Sequence, residues 1–388
     1  MTKFSRLDEL LERFVENGPP GCALQIQCKG KKIYENFIGY ADLEKEKRIQ
    51  ENTIYRIYSM SKVVTCVAAL TLYEKGAFLL NDRLEDYLPE FSDLQVMIEK
   101  NGEVVHEKAV RSIRIKDLFM MTSGLTYGGT ATEVERQVSK VMELVNEGNY
   151  PNDKTPVRAL SEALATVPLA FQPGDSWKYG LSHDVLGALI EVISGKTFGQ
   201  FLKDELFNPL NMNDTFFLIP EVKRNRLSKL YNRSENGSLT VNTTMDERAE
   251  PGPVPESGGA GLFSTLSDYS RFAEMLANGG ELDGSRILSR NTIRLMASNH
   301  LSEQQRKTYD WDYLKGYGYG LGVRTMVDLA EAGSNGAIGE FGWSGLAGTW
   351  VLVDPVNQLS AVYMQQMLPN FEAIHQPRLR NVIYGLME

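Results

Sequence analysis

The chain is poor in the residues that build covalent or metal-bound frameworks. Its three cysteines, Cys22, Cys28 and Cys66, are an odd number with no Cys-x-x-Cys pair, which argues against a disulfide scaffold and a thiolate zinc site. Cys22 and Cys28 fall on one face of a predicted strand and read as packing residues. The four histidines (His106, His183, His300, His375) form no His-Glu-x-x-His or similar ligand pair, so no metal is expected. There is no Gly-x-Gly-x-x-Gly and no Walker loop, so no cofactor is expected either. With a net charge of −9 and no block of lysine or arginine, nucleic acid and anionic membranes are poor partners. No apolar run is long enough to span a bilayer, so membrane insertion is not expected. The first residues have helical periodicity with mixed charges and lack the apolar core of a signal peptide, so the expected location is cytoplasmic.

One stretch stands out. Ile57-Tyr58-Ser59-Met60-Ser61-Lys62 follows a β-branched and aromatic run, and it opens a segment, 63–73, that is apolar nearly all round and stops at Gly76. A helix without a polar face is buried in the middle of a domain. Positions i and i+3 share a helix face, so the Lys62 amine can lie beside the Ser59 hydroxyl. A serine hydroxyl needs a base at neutral pH, and a lysine is that base only when burial or a nearby cation lowers its pKa. The helix N-terminus adds N–H groups that favour developing negative charge. Ser-x-x-Lys at a buried helix start is thus the pattern of an activated nucleophile. Alone it is a weak signal, since a chain of this length carries about one such spacing by chance. The plain alternative is a serine cap followed by a surface lysine.

In chain order, residues 5–17 predict an amphipathic helix with Leu7, Leu10, Leu11, Phe14 and Val15 on one side. Strands are predicted over 22–27 and 32–40, and a hairpin over 96–100 and 104–108 about Asn101-Gly102. Helices are expected over 60–75, 115–121, 132–147, 156–166, 197–206, 267–278, 290–298 and 371–386, and from an N-cap at Ser182 to Ile193. Residues 317–323 alternate glycine with large residues and read as one strand with a bare face; 337–345, 348–353 and 360–365 continue an antiparallel meander. Strands therefore sit at both ends of the chain and helices fill the middle. The expected fold class is α/β (α+β): an antiparallel sheet built from 1–58 and 300–388, flanked by terminal helices, with a mainly helical subdomain inserted over 59–299. Ser59 falls where the two meet, which is where clefts form.

Further motifs stand along the chain: Leu88-Pro89-Glu90-Phe91, Thr122-Ser123-Gly124-Leu125, Tyr179 with Asp184-Val185-Leu186-Gly187, 258–265, and Gly342-Trp343-Ser344-Gly345. Together with Ser59-Met60-Ser61-Lys62, and over nearly the whole chain, they resemble the serine hydrolase superfamily of class C β-lactamases, penicillin-binding-protein-like D-alanyl-D-alanine peptidases and family VIII carboxylesterases. The order serine, lysine, tyrosine, late sheet motif is the specific part. The resemblance implies a single β-lactamase/transpeptidase-like domain. It implies that Ser59 attacks an acyl carbonyl and becomes acylated, and that Lys62 helps take its proton. Tyr179, its phenol depressed by Lys62, would serve as base for Ser59 and acid for the leaving group. The backbone N–H groups of Ser59 and Leu346 would form the oxyanion hole, each donor worth about 10²–10³ in rate. Trp343, Ser344 and Gly345 would bind substrate, and Tyr127 would line the acyl or alcohol pocket or simply pack in its loop. Trp177 reads as structural. Ser61 either bonds within the site or starts the helix. His183 beside Asp184 invites a Ser-His-Asp reading, but neighbours on one helix point in different directions and the serine already has its base.

Two departures from the family pattern bear on substrate. The β-lactamase Tyr-x-Asn is Tyr179-Gly180-Leu181 here, and leucine donates no amide hydrogen bond. Lys-Thr-Gly or His-Thr-Gly is Trp343-Ser344-Gly345, so an aromatic wall replaces the cation that recognises a substrate carboxylate. Trp-x-Gly resembles the family VIII esterases, which handle neutral acyl esters. The reading is a serine hydrolase acting on small-molecule carboxylic esters. The alternatives are an acyltransferase to an alcohol or amine, a β-lactamase or D-amino-acid peptidase, and, in another class, a non-catalytic penicillin-binding sensor. The sequence sets no oligomeric state.

Overall fold

The computed structural model describes residues 3–100, 103–151, 153–245 and 256–387. The two ends of the chain build one eight-stranded antiparallel sheet. Its order is Tyr317–Tyr319, Arg324–Met326, Phe341–Ser344, Trp350–Asp354, Leu359–Gln365, Gly21–Cys28, Lys31–Asp42 and Lys47–Arg48. The first and last parts of the chain meet where Leu24 pairs with Tyr363 and Ile26 with Ala361.

Successive side chains on a strand face opposite sides of the sheet. Cys22, Leu24 and Ile26, with Ala361 and Tyr363 across from them, pack on Phe14, Leu379 and Ile383 of the terminal helices Ser5–Asn17 and Glu372–Gly385. Ala23, Val362 and Met364 face the other core. Strands buried on both faces read as near-continuous apolar runs, as these do. The second face is covered by Leu266–Ala277, which packs on Gly21–Cys28, Trp350–Asp354 and Leu359–Gln365. One helix of the 59–299 stretch, expected within the helical insertion, is thus part of the sheet's own layering. Ser61–Glu74 and Pro156–Ala165 both pack on Ser182–Ser194 and form the helical side of the molecule.

Three local expectations need correction. The strand predicted over 317–323 is two strands, Tyr317–Tyr319 and Arg324–Met326, joined by a tight turn in which Gly322 takes φ +83°. The glycines serve that turn as well as close packing. Ser182 is the first residue of its helix rather than the cap, and its buried hydroxyl shares a 2.8 Å hydrogen bond with Ser123 Oγ. The motif at 258–265, given no secondary structure from sequence, ends in a strand, Phe263–Thr265, paired with Ile54–Arg56. The Asn101-Gly102 turn lies outside the described residues, while Gln95–Lys100 and Glu103–Lys108 on either side pair antiparallel.

Candidate active site

The strand Ile54–Arg56 delivers the chain to one tight 3₁₀ turn, Tyr58–Met60, which runs into the helix Ser61–Glu74. Tyr58 takes φ +41°, a left-handed conformation rare for a bulky residue and affordable only where the surroundings impose it. Its ring is clamped against Leu230 and Ala347. Buried Ser61 accepts a hydrogen bond from Leu262 N at 3.1 Å, and Tyr269 donates to the Met60 carbonyl at 2.9 Å. These bonds fix the turn and leave Ser59 half-buried, its Oγ 3.4 Å from Lys62 Nζ.

Lys62 is fully buried. Its ammonium donates to Tyr127 Oη at 2.8 Å and to the Gly259 carbonyl at 2.7 Å, and Nζ stands 4.6 Å from the centre of the Tyr179 ring. Loss of hydration pulls the amine's pKa down, but the phenol oxygens of Tyr127 and Tyr179 and the carboxylate of Asp184 outweigh it, and the net direction is up. Burial also raises the Tyr127 phenol, against the pull of Lys62. Tyr127 is more than a lining residue, since its hydroxyl is the nearest side-chain partner of the lysine.

Tyr179 lies just before Ser182–Ser194, and its hydroxyl accepts a hydrogen bond from Trp343 Nε1 at 2.9 Å. Its ring sits in an aromatic cluster, 5.3–6.0 Å between centroids from Tyr127, Trp177, Trp311 and Trp343. Trp177 is buried within this cluster. On the sheet side, a Cβ on Gly345 would stand 2.3 Å from both the Ile57 carbonyl oxygen and Thr349 Oγ1. Only glycine lets the strand Phe341–Ser344 end against the backbone that precedes Ser59. Leu346 comes next, its side chain half exposed and its carbonyl accepting from Asn370 Nδ2 at 3.0 Å. Its N–H has no hydrogen-bond partner among the described residues. The Ser344 hydroxyl, expected to meet substrate, instead donates to Glu372 at 2.8 Å on the C-terminal helix.

His183 is fully buried, its Nε2 3.2 Å from the Phe119 carbonyl and 3.5 Å from Cys66 Sγ. Burial first, and then the Lys62 charge, lowers its pKa to about 3, so it is neutral. Asp184 turns away from it: Oδ1 accepts from Ser257 Oγ at 2.5 Å and from Gly259 N at 3.3 Å. Asp184 and Ser257 in these roles escaped the reading of the sequence. The available signal was an acid at the head of an otherwise apolar helix, just before Val185-Leu186-Gly187-Ala188-Leu189-Ile190.

A serine one turn ahead of a buried lysine, a tyrosine ring beside that lysine and a glycine-ended strand against the preceding backbone thus stand together. The chain belongs to the β-lactamase family, whose sequence profile matches residues 7–384. It is similar to protein Rv1367c of Mycobacterium tuberculosis (strain ATCC 25618 / H37Rv), with 32% identity over 356 residues that cover 90% of this chain and 86% of that protein. It is also similar to esterase EstB of Burkholderia gladioli, 26% identical over 405 residues, 98% of this chain and 95% of that one. Among solved structures, EstCE1, described as a hydrolase with promiscuous acyltransferase activity, superposes with a TM-score of 0.81 at 24% identity, covering 99% of this chain and 98% of its own. That likeness is one of fold: a β-lactamase/transpeptidase-like architecture. The chain is a serine hydrolase of the β-lactamase superfamily. Among the described residues no single helix is long and apolar enough to cross a membrane.

Proposed function

We propose that the protein is a carboxylesterase of the family VIII kind, working through an acyl-enzyme on Ser59. The observation that carries this is Trp343. An indole, hydrogen-bonded to Tyr179, stands where carboxylate-recognising relatives present a cation, so the wall facing Ser59 suits a neutral ester. The similarity to EstB supports the same reading. Tyr179, as a phenolate beside the Lys62 ammonium, takes the Ser59 proton while Oγ bonds to the ester carbonyl carbon. The carbonyl π pair moves to oxygen, facing the N–H groups of Ser59 and Leu346. Collapse breaks the bond to the alcohol oxygen, and Tyr179 returns the proton to it. Water repeats the sequence on the acyl-enzyme and releases the acid. Tyr127 shares Lys62 and orients it.

A second reading, transfer of the acyl group to an alcohol, is favoured by the aromatic cluster at the cleft, where Trp311 and Tyr179 remain half-buried and open to an apolar acceptor. The test is turnover of p-nitrophenyl acetate, butyrate and octanoate by wild type, Ser59→Ala and Tyr179→Phe, with nitrocefin alongside and with added alcohol in parallel. Ester turnover that falls more than about 10³-fold in both variants is expected. Full activity in Ser59→Ala, or nitrocefin hydrolysed more efficiently than every ester, overturns the reading. The ratio of ester to acid formed with alcohol present divides transfer from hydrolysis.

A further inference from the structure

Asp184 is 4% exposed, and its Oδ2 has no hydrogen-bond partner among the described residues. A buried carboxylate oxygen without a partner is costly unless a charge compensates it. The compensating charge is close. A Cβ placed on Gly259 would lie 2.5 Å from Asp184 Oδ2 and 3.3 Å from Lys62 Nζ, so the carboxylate and the ammonium face one another across a residue that must lack a side chain. The same loop joins them through its backbone, Gly259 N donating to Asp184 Oδ1 and the Gly259 carbonyl accepting from Lys62. The other titratable groups around Lys62 are Cys66 on its own helix, His183 beside Asp184, Tyr127 from its loop and Tyr179. Cys66 and Tyr127 are raised by burial, and His183 is lowered by it, so none of these three carries charge at neutral pH.

We propose that Asp184 is a positioning residue that supplies the counter-charge of Lys62, holding the lysine as an ammonium in every step and leaving the proton-accepting role to a phenol. The consequence for catalysis rests on the acyl-enzyme reading above; the charge state of Lys62 does not. In this arrangement the lysine never exchanges its proton with Ser59. It is a fixed positive charge that stabilises phenolate at the cleft, and Asp184 stops burial from neutralising it.

The test follows Lys62 directly. Protein labelled with ¹³Cε-lysine is titrated by NMR, with the Lys62 resonance assigned by its loss in Lys62→Met. The wild-type resonance is expected to stay that of an ammonium through pH 9. In Asp184→Asn (or Asp184→Thr if the asparagine variant does not fold) the midpoint is expected to fall by about 1–3 pH units, the size of shift that an opposite charge at this separation produces. Ser257→Ala removes a hydrogen bond from Asp184 but keeps its charge, and should leave the midpoint in place. A wild-type midpoint below pH 8 overturns the proposal by itself. So do equal shifts in the aspartate and Ser257→Ala variants, which would mean that only the loop's structure matters. Turnover of p-nitrophenyl butyrate is measured on the same samples. A wild type inactive on esters removes the esterase reading and leaves the lysine titration standing, whereas an active wild type with a low lysine midpoint removes only the counter-charge.

Discussion

Trp343→Phe isolates the contribution of one hydrogen bond to the chemistry. The indole N–H donates to Tyr179 Oη at 2.9 Å, from a side chain that is almost completely buried. A hydrogen bond to a neutral oxygen is worth about 1 kcal/mol net, and one to a charged oxygen about 1.5–3 kcal/mol. The difference, about 0.5–2 kcal/mol, is what Trp343 contributes to forming the phenolate, and each 1.4 kcal/mol is tenfold. Phenylalanine keeps an aromatic face in the cluster but lacks the donor. The kcat/KM for p-nitrophenyl butyrate at neutral pH should therefore fall about 2- to 30-fold. The smaller ring also leaves space against Trp311 and Tyr319, so the melting temperature should drop. The decisive comparison is turnover against stability. If Trp343→Phe lowers the melting temperature while kcat/KM stays at the wild-type value, the indole is only a wall and its hydrogen bond to Tyr179 does not serve the chemistry.

Two further outcomes follow from the packing. Ser61→Ala would leave the Leu262 N–H buried and unpaired beside the nucleophile turn, at a cost of about 1–3 kcal/mol. In a chain of 388 residues the melting temperature should fall by about 1–4 °C; an unchanged melting temperature would show that the turn does not depend on this bond. Burial lowers His183 to about 3 and His375 to about 4, against an ordinary value of 6.5. The unfolded chain therefore takes up protons below pH 6.5 that the folded one refuses. Stability is complete above pH 6.5 and is lost as pH falls towards 4, by about 2 kcal/mol per histidine at pH 5. Melting temperatures of wild type and His375→Gln between pH 7.5 and 5 should show a shallower slope in the variant, and equal slopes would contradict the argument.

The parts of the fold that the sequence made legible are those with a strong local period. The amphipathic helix at the start, the wholly apolar run after Lys62 and the apolar strands of the meander each carry their burial in their own residues. What it hid depends on contacts between distant segments. Tyr127 and Lys62 are 65 positions apart, and nothing in a loop tyrosine says that its hydroxyl meets a buried amine. The strand Phe263–Thr265 has no alternation to announce it, because three buried residues are too few to show a period. Ser182 and Ser344 are hydroxyls whose partners, Ser123 and Glu372, come from elsewhere in the chain. The nearness of Asp184 to Lys62 was hidden in the same way: the two are far apart in sequence, and the carboxylate comes into view only once Gly259 brings it near.

The pairing of Gly21–Cys28 with Leu359–Gln365 also sets an order of events during synthesis. The nascent chain emits the first strand long before its central neighbour exists. Until then its apolar edge can accept any passing strand, as unpaired edges do. The hairpin with Lys31–Asp42 protects one side only. Trp343 and Leu346 arrive just ahead of that last strand, so the nucleophile turn waits, folded or not, without its opposing wall. A chain that ends before Leu359 thus lacks the central partner of Gly21–Cys28, and that strand keeps an unpaired apolar edge.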